Sequence, residues 1–204
     1  MNRELTSITL ASASPRRLEL LQSLGLDVRV VPSTYAEPPY EGFNPKNLAV
    51  THAREKAHEV EKRVEGDTLL VAADTVVDLD GTALGKPCDL AEARRMLHLL
   101  SGRDHVVHTA FTLISTGAGR LELSDLQSTR VRFFKLPAED IESYVATSEP
   151  MDKAGAYGIQ GIGATLVERI DGDFYTVMGF PIARFARCLP RMGFALHGAK
   201  KPAP

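Results

Sequence analysis

The chain has 204 residues, 44% of them hydrophobic, which predicts one sizeable core and one α/β domain of two lobes (residues 1–197) rather than two independent domains. A net charge of -2 and a pI near 6.3 exclude a general nucleic-acid or membrane-surface binder, so any phosphate site must be a local pocket of positive charge. No secretory leader pattern and no membrane-spanning apolar run is visible; Cys88 and Cys188 form no CxxC or zinc spacing, which fits a reducing cytoplasm and two small packing residues.

Thr6 to Leu10 is rich in β-formers and reads as a first strand. Ser14 is placed to cap the helix that follows, Pro15 suits its first position, Leu18, Leu21 and Leu24 give its apolar stripe, and Gly25 ends it. Arg16 and Arg17 then fall in its first turn, where the helix dipole disfavours cations. Either an anion binds there, held by serine hydroxyls, free N–H groups and guanidinium forks, or the arginines pair with surface carboxylates. Asp27 to Val31 reads as a strand, and Pro32 to Asn44 as an irregular loop long enough to be functional. A second helix is predicted from Pro45 to about Val64. Its inner face carries Leu48, Ala49, His52, Ala53 and Ala57, together with Lys56. That lysine either has a counter-charge or packs only its stem and reaches solvent.

Thr68 to Ala73 is a wholly apolar run, typical of a strand buried on both faces, and it is expected to end in Asp74-Thr75. Val76-Val77 continues extended, Asp80-Gly81 signals a hairpin turn, and Leu84 to Pro87 closes the return arm. Asp89 caps a third helix with Ala93, Met96, Leu97 and Leu100 inward, stopped at Ser101-Gly102. Val106 to Ser115, a turn at Thr116 to Gly119, and a strand through Phe134 come next. A fourth helix opens at Leu136 to Asp140, a hairpin is expected at Asp171-Gly172, and Pro181 starts a last helix that Pro190 interrupts or ends. Gly198 to Pro204 is expected to be a disordered tail. Strands alternating with helices and also forming hairpins predict a mixed sheet.

Asp74 is the first candidate for chemistry, because α/β proteins place ligands at the carboxyl ends of buried strands; the alternative is a turn aspartate. Lys86 could lie beside it as a phosphate-binding ammonium or form a structural ion pair. Glu37 is a second carboxylate of the kind a hard cation bridging phosphates requires, or else a surface glutamate. Glu149 to Gly163 has four glycines in nine positions, allowing close backbone approach, and Gln160 offers the donor and acceptor that reading a base edge requires. No GxGxxG, Walker, GxSxG or HExxH pattern occurs. His105 and His108 are close in sequence, but no metal-ligand spacing is present.

Ser12-Ala13-Ser14-Pro15-Arg16-Arg17, Ala73-Asp74-Thr75, Gly85-Lys86-Pro87, Leu100-Ser101-Gly102 and Asp152-Lys153-Ala154-Gly155-Ala156-Tyr157-Gly158-Ile159-Gln160-Gly161 occur in the order seen in one family. Over about Ile8 to Phe185 the chain resembles the Maf nucleoside triphosphate pyrophosphatases. The resemblance implies a mixed, elongated α/β sheet with two lobes around a central cleft, like that of inosine triphosphate pyrophosphatases. It implies hydrolysis of a nucleoside triphosphate to the monophosphate and pyrophosphate with a divalent cation, Mg²⁺ or Mn²⁺. Arg16, Thr75 and Gln160 match the branch acting on dTTP and UTP; the alternatives are 7-methyl-GTP or another modified purine triphosphate, or a low-turnover nucleotide-binding regulator of septum formation.

By the same resemblance, Asp74 is the catalytic acidic residue, assigned as proton acceptor, and Lys86 is a catalytic, phosphate-side lysine, while Glu37 and Asp74 are associated with the metal. Ser12, Ser14, Arg17, Lys56 and Lys153 join Arg16, Thr75 and Gln160 in binding substrate. The family often carries two adjacent acids where this chain has Ala36-Glu37, which leaves the metal shell one candidate carboxylate short. A cytoplasmic homodimer without nucleic-acid or membrane partners is the remaining expectation.

Overall fold

The computed structural model describes residues 2–38, 42–117 and 119–196. Its elements, in chain order, are β1 (Arg3–Glu4), β2 (Ser7–Leu10), α1 (Pro15–Gln22), β3 (Asp27–Val30), α2 (Pro45–Glu61), β4 (Leu69–Leu79) and β5 (Thr82–Leu84). They continue with α3 (Leu90–Leu100), β6 (Asp104–Ser115), β7 (Leu121–Phe133), α4 (Ala138–Ala146), β8 (Val167–Asp171), α5 (Phe174–Met178), α6 (Ile182–Cys188) and β9 (Phe194–Ala195). The main sheet runs β3-β2-β4-β6-β7-β8, with β5 also on β4, and β1 pairs with β9 apart from it. β2 is parallel to β3 and β4; the other main-sheet pairs are antiparallel, so the sheet is mixed and the fold α/β.

β4 is the spine. Its alternate residues point to opposite faces, and the two faces differ. Leu70 and Ala72 pack with Ala57 and Val60 of α2, and Val76 with Leu48 and Ala53 further along the same helix. On the other face Val71 and Ala73 join Leu21, Phe111, Phe180 and Phe185 in one cluster. Beyond Thr75, Val77 and Leu79 join a second cluster with Leu97, Phe133 and Tyr144. Full burial of each Val, Leu or Phe side chain among them contributes roughly 1.5–3 kcal/mol. Thr75 and its cross-strand partner Thr109 form the polar break between the two clusters, and a cleft opens there.

Several expectations are corrected. β4 does not end at Asp74, because β6 pairs with it continuously from Leu69 to Asp78. What ends is its other neighbour: β2 pairs only as far as Val71, and β5 begins at Val77. Asp74 therefore lies in a gap along one edge of a continuing strand. No return strand follows Asp171-Gly172; Asp173 instead accepts from the Thr176 N–H and caps α5, while β8 pairs back to β7. α2 stops at Glu61 rather than near Val64; α6, as expected, does not run past Pro190 and gives way after Cys188 to the 3-10 turn that contains it. Cys188 is buried as expected, but Cys88 is exposed. The expected tail at 198–204 lies outside the described residues, and no described helix is long and apolar enough to cross a membrane.

Candidate active site

Every site residue singled out in the sequence lines one cleft of about 440 Å³. It is walled by the β2–α1 turn, the inner face of α2, the gap along β4, and the glycine-rich segment.

The first wall begins at α1. Ser14 has the extended geometry of an N-cap and Pro15 follows it, but the serine side chain makes no capping bond. The hydroxyl oxygen of Ser12 accepts from the Ser14 N–H at 3.2 Å and from Arg17 Nη1 at 3.2 Å. Arg17 also donates to the Gly179 carbonyl at 2.9 Å and to Thr75 Oγ1 at 3.1 Å. All its acceptors are neutral, so its charge is uncompensated by direct contact. Burial lowers its pKa, and the nearby Asp74 carboxylate works in the opposite direction. Arg16 is different: it meets Asp152 at 3.0 Å. The two alternatives for the arginine pair are thus divided between its members, with Arg16 bound to a carboxylate and Arg17 aimed at the cleft.

Asp74 is 5% exposed. Its Oδ1 accepts from Lys56 Nζ at 2.6 Å, and the same ammonium stands 2.5 Å from Glu37 Oε1. Lys56 therefore has its counter-charges, two of them. Oδ2 of Asp74 is buried and has no hydrogen-bond partner among the described residues, a costly arrangement unless something else arrives. Lys86, two residues beyond β5, is exposed at the cleft and forms no ion pair with a described residue. The structural-pair alternative for Lys86 is therefore not realised; Lys56 is the partner of Asp74. Among the described residues no group of three or more His, Cys, Asp or Glu is placed to hold a metal ion.

The opposite wall is irregular. Glu149–Asp152, Ala154–Ala156 and Gly161–Leu166 are short 3-10 turns, and Gly158, Ile159 and Gln160 between them face the cleft. Lys153 lines the cleft too, but its ammonium is held by the Glu149 carbonyl and the Asp152 carboxylate, both at 2.6 Å. Tyr157 is buried with its hydroxyl 2.7 Å from His105 Nε2. Burial pushes His105 down to about 4, so it is neutral near pH 7. His108 is satisfied by Ser128 at 2.8 Å and Asp78 at 3.1 Å.

Sequence reasoning missed Thr109, Thr176 and Gly179, which hold Thr75 and Arg17 from behind. The Thr109 hydroxyl donates to the Thr176 carbonyl at 2.7 Å and lies 3.0 Å from Thr75 Oγ1. No local signal announces them, because their partners lie tens of residues away.

A cleft with an uncompensated guanidinium, an open ammonium, a helix start lacking its cap and a buried carboxylate with one free oxygen defines a mixed α/β protein built to hold an anionic, polyphosphate-like ligand. The chain belongs to the Maf family, whose model, described as Maf-like protein, matches residues 7–192. It is 45% identical to the dTTP/UTP pyrophosphatase of Methanosarcina barkeri over 94% of this chain and 97% of that one. It is 51% identical to the dTTP/UTP pyrophosphatase of Thermococcus gammatolerans over 86% and 91%. A dITP/XTP pyrophosphatase structure from Mycobacterium abscessus aligns over 92% of this chain and 94% of its own, at 16% identity and TM-score 0.42.

Proposed function

We propose that this chain hydrolyses pyrimidine nucleoside triphosphates, dTTP and UTP first, to the monophosphate and pyrophosphate. The observation that carries the reading is Asp74: a buried carboxylate with one oxygen held by Lys56 and the other open, in a cleft that also presents Arg17 and Lys86. The relatives' names as dTTP/UTP pyrophosphatases support the substrate class.

In this reading Arg17, Lys86 and the free N–H groups of the first turn of α1 bind the phosphates and stabilise charge developing on departing pyrophosphate. Attack of water on the α-phosphorus breaks the bond to the bridging oxygen, and the proton of the water passes to the open oxygen of Asp74. No protein nucleophile is needed. A divalent cation belongs to the same proposal. Two carboxylates, Asp74 and Glu37, suit a cation that takes its other ligands from substrate phosphates and water. The unpartnered Oδ2 of Asp74 would serve here in place of its proton-accepting role, and the proton of the water would then leave to solvent. Bound there, the cation would supply Lewis-acid neutralisation of phosphate oxygens. Gln160 reads the base edge, with Arg16 lining the same cleft.

Pyrophosphate release from dTTP, UTP, CTP, ITP, GTP and 7-methyl-GTP, with Mg²⁺ or Mn²⁺, tests the reading. Release from dTTP and UTP above the rest is expected. Preference for 7-methyl-GTP overturns the substrate assignment, and release from none overturns the activity. The homodimer and the cytoplasmic location are part of the same proposal, checked by sedimentation velocity and cell fractionation.

A further inference from the structure

The glycine-rich wall has no ladder to hold it, yet it closes on a single point. The carboxylate of Glu149 accepts from the N–H groups of Gly163 at 3.0 Å and Ile162 at 3.1 Å, and from the Tyr144 hydroxyl at 3.0 Å. The oxygen of that hydroxyl in turn accepts from the Gly158 N–H at 3.2 Å. These bonds grip the chain on both sides of Gln160. The glycines are what allow the grip: a Cβ on Gly161 would lie 2.9 Å from Glu149 Oε2. One on Gly163 would lie 2.5 Å from the Gly158 carbonyl oxygen and 2.6 Å from the Tyr144 hydroxyl. Burial raises the Glu149 pKa, but the two backbone donors and Tyr144 outweigh it and hold the group below its ordinary value. Glu149 thus stays ionised and an acceptor for all three donors.

We infer that Glu149, acting through Tyr144, Ile162 and Gly163, is a positioning residue for base recognition: it fixes the turn that presents Gln160 to the cleft. This inference rests on the reading of Gln160 given above. Glu149 does not line the cleft itself, so its effect is on which base is accepted and not on the phosphoryl step. An accepting carboxylate is required, because a glutamine amide would present N–H groups to backbone N–H groups.

The test compares wild type, E149Q and Y144F by kcat and KM for dTTP and for GTP, alongside thermal midpoints. For E149Q the dTTP-over-GTP ratio of kcat/KM should fall about tenfold, the weight of a lost charged hydrogen bond. Its kcat at saturating dTTP should stay within about twofold, since the groups around Asp74 are untouched. Y144F, which cuts only the tie to Gly158 and one bond to Glu149, should fall less, and it decides the matter if E149Q does not fold. A ratio unchanged in folded variants, or a loss of kcat at constant ratio, overturns the inference alone. A wild type with no preference between the two bases overturns the reading of Gln160 and the inference with it.

Discussion

The two walls of the cleft are held by different means. Asp74, Lys56 and Arg17 stand on a strand and two helices, so backbone periodicity places them and packing behind them keeps them there. The wall from Gly158 to Gly163 is placed by side chains instead: Glu149, Tyr144 and, through Tyr157, His105. A substitution on the first wall removes a charge and leaves the scaffold standing. A substitution on the second moves the scaffold itself.

The largest expected effect comes from Asp74→Asn, which keeps an acceptor for Lys56 but can neither take a proton nor bring negative charge to a cation. Turnover should fall on the order of 10²–10⁴-fold, measured as pyrophosphate release, with nucleotide binding by calorimetry retained. Undiminished turnover would remove Asp74 from the chemistry. Arg17→Lys comes next. The planar fork now donates to three neutral acceptors, and an ammonium cannot span them. The expected loss in kcat/KM is about tenfold to a hundredfold, and a wild-type value would mean that Arg17 only braces the turn.

Gly163→Ala attacks the other wall. Its methyl group would enter the space of the Gly158 carbonyl and the Tyr144 hydroxyl, so overpacking should cost about 1–3 kcal/mol. Gly193→Ala is the control: its φ is +80° but nothing lies within 4 Å, leaving only the left-handed backbone cost of about 1 kcal/mol. Urea unfolding reads both. Base preference should change in the first variant and not in the second, and equal behaviour would mean that the glycine-rich wall yields without consequence.

The same contrast explains what was legible in the sequence. The apolar run before Asp74, the inward lysine at Lys56 and the arginines after Ser14-Pro15 are local patterns. Each projects a side chain predictably once the element forms, and each reached the cleft. Asp74 was still misplaced along its strand, because the partner that prolongs β4 is β6, whose pairing residues lie far along the chain. The turn signal at Asp171-Gly172 favours a hairpin by local chemistry, but the Asp173 cap on α5 prevails. The glycines of 158–163 announced close approach without saying to what. Glu149 and Tyr144 carry no mark of their own, for their role exists only when the chain has folded back onto them.

A second glutamate offers the finest test of the comparison, because it pins an irregular segment on the first wall. Glu59, on the regular helix α2, accepts from Ser33 Oγ and the Thr34 N–H at 2.9 Å and from Thr34 Oγ1 at 3.0 Å. It thereby fixes the chain that leads to Glu37. The side chain of Arg63 and these donors outweigh its burial and depress its pKa from 4.5 to about 2. The depressed value belongs to the folded state. Its stabilising contribution is therefore complete above the unfolded value near 4.5 and is lost as pH falls toward 2. Glu59→Gln removes that pH-dependent part and leaves other carboxylates unchanged. In urea titrations wild type should exceed E59Q near neutral pH, with the gap narrowing at about pH 3.5, where the unfolded chain takes up the proton that folded Glu59 refuses. A gap constant across that range would mean that the Ser33–Thr34 turn holds itself, and that only the glycine-rich wall depends on a single carboxylate.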